Sequence, residues 1–341
     1  MVARFWDRTA VLNLAQGIPM PVKHSFLVAA ICALPLSIVA CGGSSDSTIT
    51  PQGPHNGYVV SSVLVPTSDA QTRQYGLDLG SKLSSKQDGL IDNALGAALA
   101  GLTMLNFDIQ GTINTAVDQG NIILLLDVQT KDFTTSSAAG FGVKLGAMPN
   151  PPACNGSGDT VCRHHLTGSA SFQLAADSPT DAVVAGKIAS GSFTGGPGDL
   201  TLEIALGVAS APLKLNLLRA RAQVTGISET GIMSAIIGGL VTQDELNNQI
   251  GPAIQVQVAG ILTRDCTPAG PPPGCGCHGT GATLIAFDSN ADCMLSTTEI
   301  LTNPVVKGLL QPDSCSTDSC KAADSLSIGI KVQAVKATFP M

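Results

Sequence analysis

Aromatic residues and charge are scarce in this chain. Trp6 is its single tryptophan, tyrosines number two, and only 13% of residues are charged. So little aromatic surface excludes a flat platform on which sugars could stack. No run of Lys and Arg occurs, and 25 acidic residues outnumber 18 basic ones, which excludes a surface built to follow phosphates. Nucleophile elbows (G-x-S-x-G), H-E-x-x-H zinc motifs, P-loops and dinucleotide fingerprints set between a strand and a helix are missing too. Of the five histidines, only His55, His164, His165 and His278 follow residue 40. His164 and His165 read as exposed structural residues, and His55 as part of a polar linker. No acid–base pair is spaced for proton transfer, so a binding or structural role is favoured over catalysis.

What is present begins at the N-terminus. Residues 25–40 carry no charge and follow Lys23 and His24. This is the pattern of a secretory signal, too short to span a bilayer comfortably. It ends Ile38-Val39-Ala40-Cys41-Gly42, which resembles a bacterial lipobox. The resemblance implies that Cys41 is diacylated and becomes the new N-terminus. The expected organisation is a signal peptide over 1–40 (with Met20 as an alternative start), a lipidated flexible tether over 41–56, and a body over 57–341. Removing Arg4, Arg8, Lys23 and Asp7 leaves 15 basic and 24 acidic residues, a net charge of −9. The implied location is the cell envelope, at the outer membrane or cell surface, with the membrane as partner and no nucleic acid.

The most specific stretch lies near the C-terminus. In Asp288-Ser289-Asn290-Ala291-Asp292-Cys293-Met294-Leu295-Ser296-Thr297-Thr298-Glu299, oxygen side chains fall at positions 1, 3, 5, 9 and 12. That spacing wraps a hard dication. Asp288, Asn290, Asp292, the Met294 carbonyl, Ser296 and Glu299 form the candidate calcium ligands. Cys293 stands where such loops carry a glycine, and at most one helical turn is expected before the loop. Ser296-x-x-Glu299 is a capping box for a helix after it. Segment 283–311 therefore resembles an EF-hand-like or dockerin-type loop, with calcium as the implied ion. Asp88-Gly89-Leu90-Ile91-Asp92 resembles the tail of a second, weaker loop, with Asp88 and Asp92 as candidate ligands and Lys82 and Lys86 opposing a cation.

Setting aside Cys32 and Cys41 leaves eight cysteines, an even number that suits an oxidising compartment. Cys154–Cys162 and Cys315–Cys320 are local pairs. Cys275 and Cys277 point poorly at each other, so Cys266 and Cys293 are expected to supply their partners. The preferred pairs are Cys266–Cys275, closing a Pro-rich loop, and Cys277–Cys293. The competing reading uses Cys275-x-Cys277-His278 or Cys162-x-His164-His165 as a metal site, and it suffers because exported thiols oxidise.

Period-2 alternation dominates the body. It marks strands at Tyr58–Leu64, 141–145, 170–174, 183–188, 200–206, 213–224, 232–237 and 326–332, with the apolar run Ile122–Leu126 as a strand covered on both faces. At Leu217-Leu218 the apolar parity flips, which predicts a one-residue bulge with Arg219 and Arg221 turned outward. Helical spacing through Ile91, Leu95, Leu99, Leu102 and Leu105, and capping signals at Ser68, Thr242 and Ser296, predict helices near 91–105, 243–262 and 297–310, with a short turn after Ser68. The fold class is α+β: a mostly antiparallel sheet, a few short helices and the C-terminal loop. The leading expectation is a lipid-anchored, calcium-binding structural or binding protein. The alternatives are a carrier that cradles an apolar ligand or lipid on its sheet, and, last, a hydrolase.

Overall fold

A computed structural model describes residues 49–103, 108–204, 213–266 and 275–341. The expected signal segment, Cys41, the first half of the expected tether, Leu105 and Leu206 lie outside the described residues. Nine strands are seen: β1 (His55–Leu64), β2 (Leu124–Gln129), β3 (Ser136–Asn150), β4 (Ser171–Leu174), β5 (Val183–Ala189), β6 (Ser192–Ile204), β7 (Leu213–Ile227), β8 (Gly231–Thr242) and β9 (Ser325–Lys336). Every strand pairing is antiparallel, in the order β2-β1-β9-β8-β7-β6-β5-β3, and β2 also pairs with β3. Eight strands thus close into a barrel in which ring neighbours follow one another along the chain, except that the first strand, β1, meets the last, β9. β4 stands outside the ring, paired to the end of β3 and bridged to Thr338.

Alternation explains which side chains fill the barrel. Leu124, Leu126 and Val128 face Leu145, Val143 and Phe141 across β2 and β3, and all are buried. Leu326, Ile328, Ile330 and Val332 continue this inner face along β9, as the sequence pattern predicts. Phe193 closes one layer. Its ring covers a cross-strand pair of glycines, Gly186 and Gly195, where a Cβ on Gly195 would collide with it. Outward positions such as Lys187, Thr194, Gln223 and Thr225 are exposed. Apolar inside and polar outside is the reverse of a lipid-embedded barrel.

The expected bulge in β7 is present. Leu215 and Leu217 point inward, the register slips, and Ala220, Ala222 and Val224 resume the inner face. Arg219 absorbs the extra residue with φ of 52°. Burying each Leu, Ile or Val here contributes about 1.5–3 kcal/mol, and the slip keeps the residues on both sides of it buried.

Strand directions alternate around the ring, so the two long connections leave from the same end. Between β1 and β2 lie α1 (Asp69–Tyr75), α2 (Ala94–Thr103) and α3 (Ile109–Asp118). Between β8 and β9 lie α4 (Gln243–Glu245), α5 (Gly251–Asp265), α6 (Gly279–Leu284), α7 (Thr297–Thr302) and α8 (Pro304–Leu309). Ser68, Thr242 and Ser296 cap α1, α4 and α7 as expected. Helix α2 starts later than predicted because Asn93 accepts from the Gly96 N–H and caps it, leaving Ile91 half-exposed outside the helix. Helix α3 was not predicted. Its cap is Asp108, which accepts from the Gly111 N–H at 2.8 Å. The opposite end of the barrel carries only tight turns, including the two-residue Ser190-Gly191 hairpin with both φ positive.

The chain reaches that turn-bearing end sooner than expected. Gln52 N–H donates to Ala138 O, Thr130 N–H donates to Pro54 O, and β1 opens at His55. Residues 52–55 are therefore held against the wall, and His55, expected in a polar linker, belongs to it and meets Asp127 at 2.8 Å.

One stretch of wall has no neighbouring strand. β1 pairs with β9 only as far as Leu64↔Lys331, which leaves residues 325–329 of β9 open on one side. Side chains stand in for a strand there. Asn93 accepts from Gly329 N–H at 2.8 Å and donates to Gly329 O at 3.0 Å. Asp313 accepts from the N–H and hydroxyl of Ser327 at 2.7 and 2.6 Å, and Ser314 N–H donates to Ser325 O. Gly329 is required because a Cβ would strike the Tyr75 carbonyl.

Asn93→Ala is expected to leave a buried N–H and C=O of Gly329 unpaired and to remove the cap of α2. The expected loss is about 2–4 kcal/mol, read as a lower urea midpoint at unchanged m-value. A loss below about 0.5 kcal/mol would show that water replaces the amide without penalty.

Candidate functional site

The loop at 288–299 sits between two helical pieces packed on α5. A 3₁₀ turn, Ile285–Phe287, extends α6 directly into the loop, so the leading helix is longer than the single turn expected. Val258, Leu262, Leu284, Leu295 and Ile300 form a small core of their own beneath it. Leu295, the one buried side chain of the loop itself, anchors it on this core.

Above this core the oxygen side chains turn into the loop. Asp288 accepts from Cys293 N–H at 2.7 Å and Asp292 N–H at 3.3 Å. Asn290 donates its amide to Asp292 Oδ2 at 3.0 Å, and Asp292 Oδ1 accepts from Met294 N–H at 2.9 Å. Glu299 reaches back across the loop. Its Oε1 accepts from the N–H and hydroxyl of Ser289, while Oε2 accepts from the N–H and hydroxyl of Ser296. The Ser296–Glu299 capping box is complete. These bonds, those of Ser296 first, draw the Glu299 carboxyl down to about 2. Among the described residues, no three His, Cys, Asp or Glu side chains already converge as a metal cage.

Disulfides clamp this region, with two pairings that differ from expectation. Cys154–Cys162 and Cys315–Cys320 are bonded as predicted. The other two are Cys266–Cys277 and Cys275–Cys293, not Cys266–Cys275 and Cys277–Cys293. The reason is local backbone geometry. Cys266 ends α5 and forms an antiparallel bridge with Cys277, beside the His278 N–H···O=C Asp265 bond, which brings their Cα atoms to 3.9 Å. Buried Cys275 is then left to reach Cys293, with Cα atoms 5.5 Å apart. With all these sulfurs oxidised, neither Cys-x-Cys-His nor Cys-x-His-His can ligate a metal through thiolate. Cys293 has φ of 66°, the left-handed conformation that such loops usually reserve for glycine. Here a covalent bond to Cys275 holds the residue that adopts it.

Asp88 and Asp92 share a loop but do different jobs. Asp78, ten residues before Asp88, accepts from the N–H groups of Asp88 and Gly89. Asp88 accepts from Leu90 N–H, whereas Asp92 accepts from Leu79 N–H at 2.8 Å. Burial, reinforced by the nearby Asp313, Asp88 and Asp78, pushes Asp92 up to about 6.

The histidines divide unexpectedly. His164 is partly exposed and meets Asp159 at 2.8 Å. His165, expected at the surface, is fully buried against Phe172, and neither ring nitrogen makes a hydrogen bond of good geometry. Burial, then the Arg163 guanidinium, keeps its pKa below the usual histidine range. No sequence signal separates it from its neighbour, because a 3₁₀ turn, not a helix or strand, turns it inward.

Sequence reasoning also missed a cavity of about 570 Å³ at the turn-bearing mouth of the barrel. Pro54, Asn56, Thr130–Phe133, Glu229 and Lys336 line it. These residues are scattered along the chain, and only ring closure gathers them.

Acid stability is expected to fall in two steps. His165 is held neutral when folded, so its contribution is complete above about pH 6.5 and declines as the pH falls below that. Glu299 is depressed from 4.5 to about 2, so its contribution is present above pH 4.5 and lost as the pH falls toward 2. In melting curves across pH, His165→Phe should remove the first step and Glu299→Gln should flatten the second. Parallel profiles for wild type and both variants would show that other groups govern acid unfolding.

No protein-family model, curated protein or solved structure matches this chain.

Proposed function

We propose that this protein is a lipid-anchored barrel of the cell envelope, stapled by calcium at Asp288–Glu299 and acting as a structural or binding module without catalysis. One observation carries the calcium reading: Glu299, at the twelfth position, reaches back over the loop to Ser289 while Asp288 and Asp292 are turned into the same loop. The donors are hard oxygens: Asp288, Asn290, Asp292, the Met294 carbonyl, Ser296 and Glu299. Three formal negative charges suit a dication that prefers carboxylate and carbonyl ligands. When bound, the ion would replace hydrogen bonds that now draw the carboxylates to the loop backbone. The Cys275–Cys293 bond favours this reading, because it keeps the sixth position left-handed before any ion arrives.

Affinity is expected in the weak extracellular range, on the order of 10⁻⁴–10⁻³ M. That suits a permanent staple more than a signal. The anchor reading rests on Ile38-Val39-Ala40-Cys41. The apolar-carrier alternative is less favoured because inward side chains of the barrel, among them Tyr58, Phe141 and Phe193, fill its interior.

Millimolar Ca²⁺ should raise the melting temperature, with about 2.7 kcal/mol of stabilisation at a hundredfold excess over Kd. Mg²⁺ should do less because it prefers a smaller octahedral cage. In Asp288→Ala/Glu299→Ala the calcium-induced rise should be absent, whatever the starting stability. An equal rise in the double variant would place any ion elsewhere. For the anchor, Cys41→Ser should shift the protein from membrane to soluble fractions, and membrane retention with normal processing would defeat that part of the proposal.

A further inference from the structure

The cavity at the turn-bearing mouth has a charge arrangement that the calcium reading does not use. Four ionic side chains border it: Lys131 and Asp132 from the β2–β3 turn, Glu229 from the β7–β8 turn, and Lys336 from the end of β9. Opposite charges this close in sequence and space usually pair. Here none of the four takes part in an ion pair within 4.0 Å among the described residues.

Each cation is instead fixed by a neutral partner. Lys131 Nζ donates to Gln52 Oε1 at 3.0 Å, and Lys336 Nζ lies 5.2 Å from the centre of the Tyr58 ring. Tyr58 is itself fully buried, with its hydroxyl donating to Ser228 O at 2.8 Å. Asp132 is anchored through one oxygen, which accepts from Thr134 N–H at 2.6 Å, so the other oxygen remains available. Asn56 donates its amide to Pro54 O and Val128 O, and its carbonyl oxygen is not engaged by either bond. Phe133 supplies an apolar wall. The strand ends and turns that carry these groups are set in place by ring closure, which holds their backbone around one mouth.

We propose that this mouth is a binding site for a small zwitterion: a molecule with one ammonium and one carboxylate, such as a free amino acid or a short unblocked peptide. A lone anion would meet Asp132 and Glu229 as well as the lysines, and a lone cation would meet the lysines as well as the acids. An apolar molecule would strip water from four charges and return nothing to them. Only a ligand bearing both signs gives each pair a partner, and a volume of about 570 Å³ lies within the range of small-molecule sites, for which barrel mouths are a preferred place. Specificity comes from the blocked forms being penalised, since each leaves a charge of the rim unmatched.

The test is calorimetric titration of the folded wild-type protein with L-alanyl-L-alanine, its N-acetyl derivative and its C-terminal amide. The unblocked dipeptide should bind, and each blocked form should bind at least about tenfold more weakly. Lys336→Gln and Glu229→Gln should each weaken the unblocked dipeptide by about tenfold. Lys187→Gln, on the outer wall, should leave its binding unchanged. Equal binding of blocked and unblocked forms, wild-type affinity in both mouth variants, or no heat at about 10 mM dipeptide would each overturn the proposal. Because calcium plays no part in these measurements, failure here leaves the calcium loop untouched, and the reverse also holds.

Discussion

Every backbone N–H and C=O taken out of water must find a partner, and this requirement organises the molecule. Eight strands meet it by closing on themselves, since β2 bonds to both β1 and β3. Closure is not quite complete, because β9 runs past the last rung of β1. The remaining groups of residues 325–329 are met by Asn93, Asp313 and Ser314, which belong to the two long connections. The helical layers are therefore more than decoration on a finished barrel. They supply the hydrogen bonds that the ring lacks, and a primary amide does so well because it carries a donor and an acceptor side by side, as a peptide unit does.

The parts of this structure that depend on neighbouring residues were legible in the sequence. Alternation along β9 gave its inner face, and the parity change at Leu217-Leu218 located the bulge that Arg219 absorbs. Hydroxyls at Ser68, Thr242 and Ser296 cap helices as their spacing indicates. Features set by distant pairing were not legible. Closure joins β1 to β9 across nearly the whole chain. Cys266 selects Cys277 because a backbone bridge aligns them, which loop length alone does not reveal. Helix α3 was hidden because Gly111 and its polar neighbours weaken the helical signal, although Ile109, Ile113 and Val117 do carry it. Burial of His165, and not of His164, follows from a turn whose direction depends on the Cys154–Cys162 loop and β4 around it.

The loop at 288–299 combines rigid and labile parts. Its floor is apolar and its sixth position is held covalently, while its carboxylates are tied only by hydrogen bonds that an ion could displace. A left-handed non-glycine residue costs roughly 1–2 kcal/mol. That residue is linked to Cys275, two positions from Cys277, which is itself tied to the end of α5.

The placement of the connection between β8 and β9 has an evolutionary corollary. Thr242 and Ser325 are facing partners in the ladder of β8 and β9, so the entire excursion over 243–324 leaves and rejoins the wall at adjacent rungs, one strand spacing or about 5 Å apart. A two-residue hairpin would bridge that gap, and the entropy of closing a longer connection grows only with the logarithm of its length. Such a junction works as a socket: material of very different size can be spliced between the same two rungs while the inward-facing residues keep their places. What would have to be replaced in kind are Asp313 and Ser314, which tend the open edge of β9, and the apolar residues Leu246, Ile250, Ala253 and Leu310 that join the main core. Lineages descended from this barrel should therefore diverge most in length at this junction and least around the filled ring.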